Sequence, residues 1–127
     1  MNALLVLGAV LAFGIGLAHS VLGERYILIR LFRRDLPKLF GADTFTRRTI
    51  RFGWHLTTLA WWGFAAQMAL AAADRAGAAP SGDAPLLQAI AWTFLASAVL
   101  GLTLTRARHL AWPVFLAIAA CVWLAAR

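Results

Sequence analysis

The chain is poor in negative charge: five Asp and Glu stand against twelve Lys and Arg in 127 residues, and none of the five falls inside a long apolar run. Proton-coupled export, which relies on an acidic carrier within the membrane span, is disfavoured by that absence. There is a single cysteine, Cys121, so no internal disulfide and no dithiol pair can form, and thiol-oxidase chemistry is excluded. Three histidines are too few for a membrane di-iron oxygenase, and there is no HExxH pair for a zinc protease. No GxSxG elbow occurs, and none of Ser20, Ser81 and Ser97 stands in a sequence context with His and carboxylate that signals a hydrolase; Ser20 follows His19 directly, and neighbours on a helix point apart. The first residues, Met1-Asn2 running straight into Ala3–Leu22, lack the basic leader and small-residue cleavage site of a removable signal peptide and read as a retained first helix.

What the chain does contain is apolar length. Hydrophobic residues make up 62% and charged residues only 13%, with a mean hydropathy of +0.76, well outside the balance of soluble domains. Four runs are close to the roughly 20 residues that cross about 30 Å of hydrocarbon. They lie at about 3–22, 52–73, 86–105 and, somewhat shorter, 110–126. Continuous runs of this kind are helices, because lipid offers the backbone no partner. The sequence therefore predicts one all-α domain over 1–127, an integral membrane four-helix bundle with a basic amphipathic cytoplasmic segment between helices 1 and 2.

Ten of the twelve basic residues fall in two connections: Arg25, Arg30, Arg33, Arg34, Lys38, Arg47, Arg48 and Arg51 in the first, Arg106 and Arg108 in the third. Basic residues stay cytoplasmic during insertion, so both termini are expected outside a multi-pass inner-membrane protein. The same residues would attract anionic lipid headgroups. A sequence pI near 11.6 would suggest nucleic acid in a soluble domain; here topology explains it, and no nucleic-acid partner is expected.

Within the first connection, Glu24–Leu36 sets Leu28, Leu31 and Phe32 on one face and Arg30, Arg33 and Arg34 on the other. That pattern fits a surface segment or an extension of the first helix, ended by Pro37. Gly41–Thr46 reads as a turn, with Asp43, Thr44 or Thr46 able to cap the second helix. The outer connection, Asp74–Pro85, reads as a loop. Gly8, Ala12, Gly16, Ser20 and Gly23 form a small-residue stripe suited to close helix packing. Trp54 and Trp112 suit one interfacial belt, Trp92 and Trp123 the other, and Trp61 and Trp62 suit packing within the bundle. Thr57, Thr58, Gln67, Thr93, Ser97 and Thr103 are candidates for hydrogen bonds between helices.

The most informative polar residues are the histidines. His19, His55 and His109 lie on different spans but at the same, cytoplasmic end, and ionisable groups at such depth are functional candidates. Arg47, Arg51, His55, Thr58 and Trp62 follow at spacings of four, four, three and four, along one helix side. Three readings follow. A cofactor site would use His19 and His55 as axial ligands of haem b with Arg47 or Arg51 at the propionates, or His19, His55, His109 and Glu24 around a transition metal. An anion or headgroup site would use Arg47, Arg51, Arg106 and Arg108. Alternatively the protein is a non-enzymatic accessory subunit, as a homo-oligomer or within a larger membrane complex, and its histidines join helices.

Overall fold

The structure, a computed structural model, describes residues 2–74 and 82–127. The outer connection, including Arg75 and Ser81, falls largely outside those residues. The described chain is all-helical, with 81% helix and no strands. Four helices make it up: α1 Ala3–Leu31, α2 Thr44–Asp74, α3 Ala84–Leu104 and α4 Ala111–Ala125. The first three are long and apolar enough to cross a membrane, whereas α4, with 15 residues, is shorter.

The Asn2 side chain begins α1 by accepting hydrogen bonds from the backbone N–H groups of Leu4 at 3.0 Å and Leu5 at 3.3 Å, two of the four donors that a helix start leaves unpaired. The helix does not stop at Leu22: it continues through a π-helical turn, Glu24–Leu28, and one further α turn, so the amphipathic segment extends α1. It ends at Leu31, before Pro37 is reached. The reversal that follows places Phe40 and Gly41 at positive φ, 57° and 86°, and glycine is the residue that takes such a conformation without steric cost. The α2 helix then starts at Thr44, eight residues before the apolar run, because Thr44–Arg51 is polar yet carries nothing that breaks a helix. Thr46 points back to the turn, donating its hydroxyl to the Pro37 carbonyl at 2.8 Å.

The chain divides into two compact units. One comprises residues 16–61, the end of α1, the reversal and the first half of α2. It is an antiparallel hairpin in which Leu28 and Thr58 are buried. The other comprises residues 1–15 and 62–127. Its core is built from Leu5, Ala12, Met68, Leu87, Ile90, Phe94, Ile118 and Val122. Phe94 sits with Phe64 and Phe115 at centroid separations of 5.8 and 5.9 Å. A methyl at Gly8 would come within 3.1 Å of the Met68 sulfur and 3.4 Å of Val122, which shows why the small-residue stripe is needed there. Trp62 stacks on Phe13 at 5.0 Å and donates its N–H to the Phe13 carbonyl at 3.2 Å. Large apolar side chains such as Val10, Phe13, Leu70, Val99, Leu100 and Leu124 remain exposed.

The polar residues expected to link helices mostly do not. Thr57, Thr93, Ser97 and Thr103 donate to carbonyls one turn earlier on their own helices, at 2.8–3.2 Å. A hydroxyl on the exposed face of an apolar helix has no other side-chain acceptor in reach, so it folds back onto its own backbone. Thr58 is different: buried, it donates to the Gly16 carbonyl at 3.4 Å, from α2 to α1.

Candidate functional site

The hairpin formed by residues 16–61 holds a continuous polar network. As α1 is followed from Gly16 toward Phe32, its partners on α2 run backwards from Thr58 to Arg47, as antiparallel packing requires. The Ser20 hydroxyl lies 2.6 Å from His55 Nδ1, and His55 Nε2 lies 3.3 Å from a Glu24 carboxylate oxygen. The same carboxylate receives the Arg51 guanidinium through two atoms, Nη2 at 2.8 Å and Nε at 3.2 Å. Such a fork fixes the plane of the carboxylate as well as its position.

In the neutral imidazole the pairing assigns the hydrogen to Nε2: Glu24, paired with Arg51, offers only lone pairs, so Nε2 donates to it and Nδ1 is left to accept the Ser20 hydroxyl. The side chains of His55, Glu24 and Arg51 are 37%, 30% and 47% exposed, so the network is open along one side.

His19, one residue before Ser20, faces a different surface. Its ring lies flat against Trp54, with centroids 4.5 Å apart and an interplanar angle of 4°, and meets the edge of Trp61 at 4.9 Å. The Trp54 N–H donates to the backbone carbonyl of His19 at 3.0 Å. Trp54 therefore packs within the hairpin, against α1. Gly23 is what admits it, since a Cβ there would collide with the Trp54 indole.

Beyond Glu24, Arg47 closes the hairpin. It binds Asp43 through Nε at 2.8 Å and donates Nη1 to the Phe32 carbonyl, at the end of α1 where carbonyls lack helical partners. The Asp43 carboxyl is held below its ordinary range, chiefly by the hydrogen bond from Arg47, with the charges of Arg47 and Lys38 acting the same way against partial desolvation. Arg51 and Arg47 both lie over the Phe32 ring, at 4.9 and 5.8 Å.

His109 and the two arginines Arg106 and Arg108 belong to the other unit. His109 Nδ1 accepts the Ala111 N–H at 3.1 Å, beside the start of α4, and the side chain is exposed. Arg106 lies in the tight turn after α3, with φ of 50°.

The expected cofactor sets fit this arrangement poorly. As found, His55 has both ring nitrogens committed, to Ser20 and to Glu24, and His19 is pressed against Trp54. Axial ligation of haem by the two would require the network to come apart, and Arg47 and Arg51 are turned to carboxylates rather than left for propionates. Among the described residues no three His, Cys, Asp or Glu side chains are grouped so as to hold a metal ion, so the set His19, His55, His109 and Glu24 is not carried forward. The expectation about Ser20 is also corrected: it has a histidine beside it and a carboxylate beyond, brought from α2 and from one turn along α1. A hint existed, since Ser20 and Glu24 are four residues apart and share a helix face. Compared with models of protein families, with curated proteins and with solved structures, the chain matches none.

Proposed function

We propose that this is a multi-pass inner-membrane protein, both termini outside, whose α1–α2 hairpin carries an acid–base site at the level of the cytoplasmic headgroups. Three apolar helices, large apolar side chains turned outward and the basic residues gathered in two connections support the membrane placement. On this reading the site transfers protons to or from the polar end of a membrane-borne molecule. The observation that carries it is the fixing of His55: one ring nitrogen is tied to a carboxylate that an arginine pins, leaving the other to act as a base. A base positioned by a second group is what general acid–base catalysis requires. Arg47 and Arg51 are paired with Asp43 and Glu24, so of the four expected arginines Arg106 and Arg108 are the ones left to meet anionic headgroups on this reading.

A second reading, an accessory subunit, is favoured by a specific observation. Ser20, His55, Glu24 and Arg51 satisfy one another, as a clamp between two helices would. The two readings part on one experiment: lipid extracts from membranes of cells overproducing the wild type or His55→Gln are compared by mass spectrometry. An acid–base site acting on membrane-borne molecules predicts a change in lipid or headgroup composition that His55→Gln abolishes. A clamp predicts identical extracts and a less stable variant.

A further inference from the structure

We propose that Ser20 is a nucleophile that accepts an acyl group from an ester of a membrane lipid. The proposal rests on the acid–base reading of His55 and names the chemistry and substrate class of the same site. It begins with three groups in order: a hydroxyl 2.6 Å from an imidazole nitrogen, the other nitrogen 3.3 Å from a carboxylate, and that carboxylate held by two guanidinium contacts. Nucleophile, base and orienting acid within hydrogen-bond reach are the diagnostic arrangement of an activated serine. Here the two ring nitrogens exchange their more common duties, with Nδ1 facing the hydroxyl and Nε2 the carboxylate. The imidazole serves either way, because a carboxylate held against one ring nitrogen keeps the hydrogen there and leaves the lone pair on the other.

Isolated serines on apolar helices turn their hydroxyls to the carbonyl one turn back, as Ser97 does toward Thr93 at 2.8 Å. The Ser20 hydroxyl is instead engaged by His55 of the other helix. The site also has an open side, along which His55 and Glu24 are about one-third exposed. Directly after Ser20 and Gly23 the helix passes into the π turn Glu24–Leu28, a local departure that recurs at functional sites.

Position selects the substrate. Ser20 lies near the cytoplasmic end of the first apolar run, two residues from Leu22, where the hydrocarbon of the bilayer gives way to its interface. Acyl ester carbonyls of lipids lie in that layer. In the first step Ser20 Oγ attacks the carbonyl carbon, its proton passes to His55 Nδ1, and the carbonyl π pair moves onto oxygen. Collapse of the tetrahedral species expels the lipid alkoxide, which takes the proton from Nδ1, leaving Ser20 acylated. Water, or another alcohol, then enters by the reverse steps and releases the acid or a new ester. No oxidant or reductant is involved. Ser20 and His55 are the catalytic residues in this scheme; Glu24 and Arg51 are positioning residues.

The test uses the full chain, purified in detergent, and a fluorophosphonate probe, whose phosphorus takes the place of the carbonyl carbon and whose fluoride leaves. Peptide mass spectrometry is expected to find the label on Ser20, and Ser20→Ala to remove it. His55→Gln should slow labelling by about 100-fold or more, in line with the loss of a general base. Glu24→Gln should slow it less and Glu24→Asp restore part of it, a rescue that a purely structural carboxylate would not show in a labelling rate. If folded wild type is not labelled, or is labelled at Ser97 or Ser81 instead, the proposal is overturned, whatever the variants do. Labelling at Ser20 that is equally fast in a folded Glu24→Gln or His55→Gln variant overturns it too. Should lipid extracts respond to His55→Gln while Ser20 stays unlabelled, the acid–base reading stands and the nucleophile alone is lost.

Discussion

Replacing Gly23 with alanine sets two well-understood effects against each other, and the structure decides between them. Helix propensity favours the change, since glycine in a helix interior costs roughly 0.5–1 kcal/mol relative to alanine. Packing opposes it, because the new methyl would collide with the Trp54 indole. Moving that ring breaks its hydrogen bond to the His19 carbonyl, about 0.6 kcal/mol for such bonds in membranes. It also disturbs the parallel stack on His19, worth about 0.5–1.5 kcal/mol, and adds overpacking strain of about 1–3 kcal/mol. The balance is a loss of about 3 kcal/mol, or roughly 10 °C in the melting temperature of a chain this size. Circular-dichroism melts in detergent measure it. Gly53→Ala is the internal control, being on α2 with nothing within 4 Å of its added methyl, and should be neutral or stabilising by up to about 1 kcal/mol. In a Trp54→Ala background the Gly23→Ala penalty should vanish and the change become neutral or stabilising by up to about 1 kcal/mol, as at Gly53. A penalty that is the same with and without Trp54, or a Gly23→Ala variant as stable as Gly53→Ala, would refute the steric argument.

Three further outcomes are expected. Thr58→Val keeps the shape of a buried side chain and removes one hydrogen bond to the Gly16 carbonyl, so melts should show a loss of about 0.5–1 kcal/mol. Gly8→Ala meets the Met68 sulfur, the adaptable end of a flexible side chain, and should cost less than Gly23→Ala in the same assay. Because the folded state holds the Asp43 carboxyl below its ordinary value, its contribution to stability is complete above the unfolded pKa and fades as pH falls through the folded one; Asp43→Asn should flatten this part of the acid limb in a pH series of melts.

Apolar length made most of the helices legible. The runs at 86–105 and 110–126 correspond to α3 and α4 within two residues at each end. A hydropathy pattern marks where the chain is apolar and so hides the start of α2, which runs through the mostly polar Thr44–Arg51, where Thr46, Arg47 and Arg51 tie it to the reversal and to α1. In the site, the spacing of Arg47, Arg51, His55 and Thr58 announces one face, and each of the four does reach α1: Phe32, Glu24, Ser20 with Glu24, and Gly16. What spacing within one helix cannot supply is the rotation of its partner. His19 and Ser20 differ by about 100° around the helix, and that angle decides which of them meets His55. Position at the same end of the two apolar runs points to His19; the packed rotation gives its neighbour.

The π turn in α1 amounts to slack of one residue. A wider turn closes its hydrogen bonds one residue further along, so the segment Glu24–Leu28 can give up a residue and re-form as ordinary α-helix without breaking the rod. Everything after it, Phe32 and the arginines included, would then swing about 100° and leave Arg47 without its carbonyl. Chains descended from the same ancestor should therefore tolerate single-residue length differences almost anywhere in the loop 32–43, yet keep the count between Ser20 and Phe32 fixed.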